Sequence, residues 1–211
     1  MKKALISATT LLTLLSPFLL TEAQAKQAGD FMMRGRALLI TPDAGGTTTI
    51  GGEIDVDDKI VPELDFTYFL SDNVAVELIA ATAKHNAEVK GSALGDVDLG
   101  SVWLLPPTLT LQYHFNTKGE FSPYVGAGVN YTFFYNDKAA GGAIETLNLK
   151  DSFGLALQAG FDYKIDEKWS FNVDVKKIIL DTEASVNNGA VTSKEVNINP
   201  LFVGVGFGYT F

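Results

Sequence analysis

The chain has 211 residues, 46% of them hydrophobic and 19% charged, with 20 glycines, no cysteine and a formal charge of −9. Without cysteine there is no disulfide framework, thiolate metal site or cysteine nucleophile. The excess of acid, with no Lys/Arg cluster to meet phosphates, excludes nucleic acid as a partner, and the apolar share excludes disorder.

Residues 1–25 read as a secretory signal, with Lys2 and Lys3 as the basic start, Ala4 to Leu20 as the apolar run and Ala23-Gln24-Ala25 as the cleavage site. An uncleaved N-terminal anchor is the alternative. Residues 26–211 then form a single domain. Beyond the signal no apolar run approaches the roughly 18 residues of a spanning helix, so the exported chain is either soluble or crosses a membrane with strands.

From Phe31 onward the sequence alternates in steps of two. Phe31, Met33, Ala37 and Leu39 share one parity, as do Leu64, Phe66, Tyr68 and Leu70, then Val74, Val76, Leu78 and Ala80. Leu109 to Phe115, Val125 to Tyr135, Phe153 to Tyr163, Trp169 to Ile179 and Leu201 to Phe211 repeat the pattern, which gives eight strands. The opposite parity carries Arg34, Arg36, Glu63, Asp65, Glu77, Asp162, Asp174 and Lys176, whereas the apolar parity carries the one charge of Lys177.

A soluble β-sandwich or lipocalin-like barrel would turn its apolar face inward. Here that face ends in aromatics beside the short connections: Tyr68, Tyr113, Phe115, Tyr163, Trp169, Tyr209 and Phe211. Such a girdle belongs to a transmembrane barrel, and glycine on the polar parity suits a narrow lumen. Short turns near Ser71–Asn73, Asn116–Glu120 and Lys164–Glu167 alternate with long connections at Pro42–Asp58, His85–Leu105, Asn136–Lys150 and Ala184–Val196. The expected fold is therefore all-β, an eight-stranded antiparallel transmembrane β-barrel with short periplasmic turns and four long external loops. Pro62, Pro106, Pro107, Pro123 and Pro200 are expected at strand starts.

Once the strands are placed, several stretches resemble the outer membrane protein W (OmpW) family. They are Gly29-Asp30-Phe31-Met32-Met33-Arg34, Asp72-Asn73 with Val76 to Thr82, His85, Leu105 to Leu109, Pro123 to Tyr131, Lys150 to Gly154 and the Gly208-Tyr209-Thr210-Phe211 end. The resemblance implies a Gram-negative outer-membrane barrel with a narrow, partly apolar channel, in a family associated with passage of small hydrophobic molecules and with bacteriocin or phage reception. The sequence departs from that family at Lys176 and Lys177, where relatives tend to carry aromatics. Ala83-Lys84 also lacks the Pro-Phe pair common before the family's histidine.

Catalysis by a barrel of this shape, as in lipid A deacylases and palmitoyltransferases, needs a histidine, a serine and an acidic orienter. Only His85 and His114 are available, and neither has a serine at a characteristic spacing, so no catalytic residue, cofactor or metal site is assigned. Glu53, Asp55, Asp57 and Asp58 lack the spacing of a calcium loop and read as a solvated external segment. Asn130-Tyr131-Thr132 matches a glycosylation triplet but lies in mid-strand.

Inward charges in a narrow lumen must be paired or hydrated. Arg34 and Arg36 are placed to meet Asp65 and Glu63, and the resulting pairs either plug the barrel or form the polar floor of a channel. The lumen-lining candidates are Arg34, Arg36, Asp65, Glu77 and Lys176, with Leu38, Ile40, Ile79, Ala81 and Phe134 above them. Lys177 points to lipid and is tolerable where its stem reaches the interface. Tyr209 and the terminal Phe211 resemble the signal read by the barrel assembly machinery. The expected function is passive transport or binding of small hydrophobic molecules, with outer-membrane lipid as surroundings. A non-conducting receptor or adhesion barrel acting through its external loops is the alternative.

Overall fold

Where the sequence alternates, the chain is strand, because a period of two puts one set of side chains on each face of the pleat. The computed structural model describes residues 26–46, 48–189 and 191–211, and of residues 191–195 the backbone alone. The expected signal lies outside them. The strands are β1 (Phe31–Thr41), β2 (Glu53–Val56), β3 (Lys59–Phe69), β4 (Val74–Ala81), β5 (Ala83–Ser92), β6 (Gly95–Leu105) and β7 (Thr108–His114). They continue with β8 (Phe121–Ala139), β9 (Leu147–Leu149), β10 (Ser152–Lys164), β11 (Trp169–Ile179), β12 (Asp181–Val186), β13 (Val191–Asn197) and β14 (Leu201–Thr210).

Eight of them, β1, β3, β4, β7, β8, β10, β11 and β14, pair antiparallel in a closed ring. β1 pairs with β3 on one side and β14 on the other, and β8 pairs with β10. Closure leaves no open edge, a requirement for strands in lipid, where an unpaired backbone group finds no water. The register puts Arg34 beside Asp65 and Arg36 beside Glu63, so the opposite charges face the same side.

The outward side chains include Leu109, Leu111, Leu155 and Leu157, all exposed, as expected of a lipid belt. At its lower rim Trp169 meets Tyr209 and Tyr113 meets Phe115 edge to face, with ring centroids 5.1 and 5.2 Å apart. Glycine makes room inside. A Cβ on Gly208 would come within 3.1 Å of the Arg34 stem, and one on Gly160 within 2.5 Å of the Tyr124 hydroxyl.

Of the four long connections, expected as loops, His85–Leu105 and Ala184–Val196 are largely strand, while Pro42–Asp58 holds β2 and Asn136–Lys150 holds the end of β8 and β9. Only Thr82 separates β4 from β5 and only Leu180 separates β11 from β12, so the hairpins run on past the ring. β5 joins β2 to β6, β6 joins the upper part of β8, and β12 lies between β9 and β13. The inward parity does not change at Thr82: Ala81, Ala83, His85, Ala87 and Val89 are all buried. What changes is the outward set, from Leu78 and Ala80 to Lys84, Asn86 and Lys90. That switch from apolar to charged marks where the strands leave the bilayer. Pro62 and Pro123 depart from expectation, lying inside β3 opposite Ala37 and inside β8 opposite Phe161, because these strands begin earlier, at Lys59 and Phe121. No helix among the described residues is long and apolar enough to cross a membrane.

Candidate functional site

Alternation sends Arg34, Arg36, Glu63, Asp65, Glu77, Asp174 and Lys176 into the ring, where all are buried. Charges this deep are tolerated only in mutual contact. Arg34 donates through Nε and Nη2 to the two oxygens of Asp162, at 3.1 and 3.0 Å, and through Nη1 to Asp65 and Thr67. Arg36 donates to Glu63 at 2.6 Å, Glu77 at 3.1 Å and the Asn172 side-chain oxygen at 2.9 Å. Lys176 donates to Asp174 at 3.0 Å, and the second Asp174 oxygen accepts from Tyr124 and Gln158. Gln158 also donates to Glu77 at 2.8 Å. The network reaches around the ring and fills the middle of the lumen.

Below it the periplasmic end is closed by a residue from before the first strand. Lys26 Nζ donates to Asp162 at 2.6 Å and to Ser122 at 3.1 Å, and stands 3.1 Å from His114 Nδ1. An ammonium only donates, so His114 Nδ1 accepts, and its Nε2 donates to Gln112 Oε1 at 3.1 Å. Met32, Phe69 and Ala75 pack beside this closure.

Above the network the lumen turns apolar. Leu38, Ile40, Ala81, Ala156, Ile178 and Phe202 pack into one cluster, and the extended hairpins continue its wall. Between them lies a cavity with about 810 Å³ of empty space counting its open mouth, in which the centre of a water molecule can range over about 60 Å³. Ile40, Phe202, Leu99, Val102, Leu147 and Leu180 are among its lining residues. The lining is apolar but for His85, Asn130 and Thr132. Thr132 donates to Asn130, whose amide donates to the carbonyls of Pro106 and Pro107.

His85 sits in the external part of the wall and is 1% exposed. Its Nδ1 lies 2.7 Å from the Asp57 carbonyl oxygen and 3.5 Å from the Asp57 carboxylate. Burial, the largest influence, pushes the imidazole below its ordinary value against the pull of Asp57, with Lys59 adding to the lowering. Burial opposes ionisation of the Asp57 carboxyl, but hydrogen bonds from Lys59 and Asn86 hold it below its ordinary value.

Every sequence-predicted lumen residue points inward. Arg34, Arg36, Asp65, Glu77 and Lys176 meet in the ion network, Ile40 and Phe134 line the cavity, and Leu38 and Ala81 lie in the apolar cluster. Ile79 is buried beside them, opposite Asp65 in register. Lys177 reaches up to the Asn199 carbonyl at 2.5 Å and to Asp43 at 3.5 Å, so its stem does carry the charge out of the apolar belt. Tyr209 and Phe211 meet edge to face at the lower rim, ring centroids 4.9 Å apart. The acidic external run meets lysines, Asp55 with Lys90 and Asp57 with Lys59.

Sequence reasoning did not pick out Lys26, the cross-lumen roles of Asp162 and Asp174, or the cavity wall above the ring. For that wall the signal was present: residues 83–90 alternate Ala-Lys-His-Asn-Ala-Glu-Val-Lys.

Comparison with known proteins agrees with this architecture. Residues 27–211 match the sequence profile of the OmpW family. The chain is 37% identical to outer membrane protein W of Escherichia coli over the full length of both. It is 43% identical to the outer-membrane protein y4mB of Sinorhizobium fredii, over 90% of this chain and 84% of that one. The crystal structure of the outer membrane protein OprG from Pseudomonas aeruginosa superimposes with a TM-score of 0.81 at 36% identity, covering 89% of this chain and 98% of that one.

Proposed function

The chain belongs to the OmpW family of outer-membrane barrels, and on that footing we propose that it passes small apolar molecules from outside the cell into the membrane. They enter the external cavity and leave sideways into lipid, by passive diffusion. The observation that carries this reading is the buried ion network directly beneath the apolar cluster. An apolar molecule moving straight down would have to part the Arg36, Glu77 and Asp174 contacts and leave buried charges unpaired, which costs several kcal/mol per ion.

A sideways route has weaker backbone in its way. The β4–β7 ladder ends at Ile79 opposite Thr108. The next two residues above it are Pro107 and Pro106, which have no N–H to continue the ladder, and Pro106 lines the cavity. Outward from there the surface is apolar, with Leu78 and Leu109 exposed.

The same reading covers biogenesis. Cleavage after Ala25 makes Lys26, whose side chain closes the periplasmic mouth, the first residue of the mature chain. Tyr209 and Phe211 then serve as the signal for the barrel assembly machinery.

Uptake of a fluorescent apolar amine such as N-phenylnaphthylamine by cells carrying the protein tests the route. Ala184 lines the cavity and is partly buried. Ala184→Trp should fill the cavity and slow uptake severalfold while leaving the heat-shift of the folded barrel on a gel unchanged. Uptake as fast as wild type in a folded Ala184→Trp protein overturns the reading.

A further inference from the structure

His85, in the lining of the apolar cavity, carries one polar atom that nothing in the protein satisfies. His85 Nε2 is buried and has no hydrogen-bond partner in the protein. An unmet polar atom in apolar surroundings costs about 1–3 kcal/mol, and such groups are usually satisfied by something. Here the protonation pattern is determined. Nδ1 lies 2.7 Å from the Asp57 carbonyl oxygen, which can only accept, so Nδ1 carries the hydrogen. In the neutral ring Nε2 is then a bare acceptor on the edge away from Asp57.

The charged groups facing this ring are Asp57, on the connection between β2 and β3, and Lys59 at the start of β3. On the paired strand His85 lies opposite Val102, which also lines the cavity. A lone water suits the spot poorly, because buried water needs two to four polar partners. Of the other polar side chains of the lining, Thr132 donates to Asn130 and Asn130 donates to the Pro106 carbonyl.

We propose that the cavity selects apolar molecules bearing one hydroxyl, a phenol or an alkanol, whose O–H donates to His85 Nε2 while the carbon skeleton packs against the aliphatic wall. The inference rests on the reading of the cavity as an apolar binding site and adds the acceptor that orients the ligand. It predicts discrimination between molecules of the same shape that differ in a hydroxyl against a methyl, because only the hydroxyl satisfies the buried nitrogen.

The probes are p-cresol and p-xylene, which have the same number of heavy atoms and nearly the same outline. Binding is measured to the protein in lipid nanodiscs and corrected for partition into empty nanodiscs. With ¹⁵N-labelled histidine the two imidazoles of the chain are followed in the same samples. The expected result is roughly tenfold tighter binding of p-cresol than of p-xylene. The Nε2 resonance of His85 should move with p-cresol only, and that of His114 with neither. His85→Phe should keep p-xylene binding and lose the preference, and if that variant does not fold, the wild-type Nε2 resonance decides. Equal binding of the two probes with His85 Nε2 unmoved overturns the acceptor role and leaves the cavity reading intact. Binding of neither probe above empty nanodiscs overturns both.

Discussion

Arg34 and Asp162, 128 residues apart in sequence, meet inside the barrel through two parallel hydrogen bonds, Nε to Oδ1 at 3.1 Å and Nη2 to Oδ2 at 3.0 Å. β1 and β10 are three strands apart around the ring, so this pair ties distant parts of the wall across its interior. Fork-on-fork geometry and complete burial make it a strong directional contact. Asp162→Asn should therefore lower stability by about 3–5 kcal/mol, because it leaves the Arg34 guanidinium short of a counter-charge. Urea unfolding in detergent micelles measures the loss. The double variant Arg34→Met, Asp162→Asn should recover a substantial part of it, since neither charge is then left buried alone.

The network also predicts how poorly the barrel conducts ions. Wild-type protein in a planar bilayer should show almost no steady ionic current, because guanidinium and carboxylate groups occupy the lumen from Lys26 up to Lys176. Removing a contacting pair, Arg36→Ala with Glu77→Ala, should open a hydrated gap and raise conductance severalfold. Uptake of the apolar probe should stay at the wild-type rate in that variant. A parallel rise in both would show that apolar molecules travel down the lumen rather than sideways.

His85 makes stability depend on pH with a definite sign. Its folded value lies below the ordinary 6.5, chiefly through burial. The contribution is therefore complete above about pH 6.5, where both folded and unfolded states are neutral. It is lost as pH falls below 6.5 toward and through the lowered folded value, because the unfolded state then takes up the proton first. Thermal melts from pH 8 down to pH 4.5 should show this loss, and His85→Phe should remove that part of the slope. The Asp57 carboxyl, held below its ordinary value by Lys59 and Asn86, adds a loss in the same direction at lower pH.

Deleting Phe211 should separate assembly from stability. Its ring is 65% exposed, and its backbone N–H donates to the Phe31 carbonyl at 2.9 Å. Deleting it removes one hydrogen bond and two aromatic contacts, with Phe31 and Tyr209, a loss on the order of 1–2 kcal/mol. The truncated chain should refold from urea into detergent nearly as well as wild type. In cells it should accumulate unassembled in the periplasm, as cell fractionation and heat-shift gels would report.

The ring was legible in sequence because neighbouring strands share a two-residue rule. Arg34 beside Asp65 and Arg36 beside Glu63 follow from parity and the pairing of consecutive ring strands. Asp162 and Asp174 sat on the correct parity, yet which arginine each would meet depends on the width of the closed barrel, which no local pattern encodes. Lys26 was invisible for a related reason, since one basic residue ahead of the first strand carries no periodicity. The cavity wall was harder still. Val102 and Leu147 lie in stretches whose polar outward residues read as loop, because the outward side there faces water and the apolar alternation inverts.

That change of outward residues at Thr82 has a consequence for how such a barrel can diversify. Along β4 and β5 the inward positions decide what is held inside, and the outward positions decide how deep the cylinder floats in the bilayer. The two sets interleave in sequence and are sealed from each other by the backbone. On the proposed function, replacing His85 or Ala87 alters the chemistry presented to a guest without moving the waterline. Replacing Leu78 or Lys84 shifts the waterline without touching the guest. Each strand thus carries two independent instructions on alternate residues, and a change of cargo need not disturb anchorage.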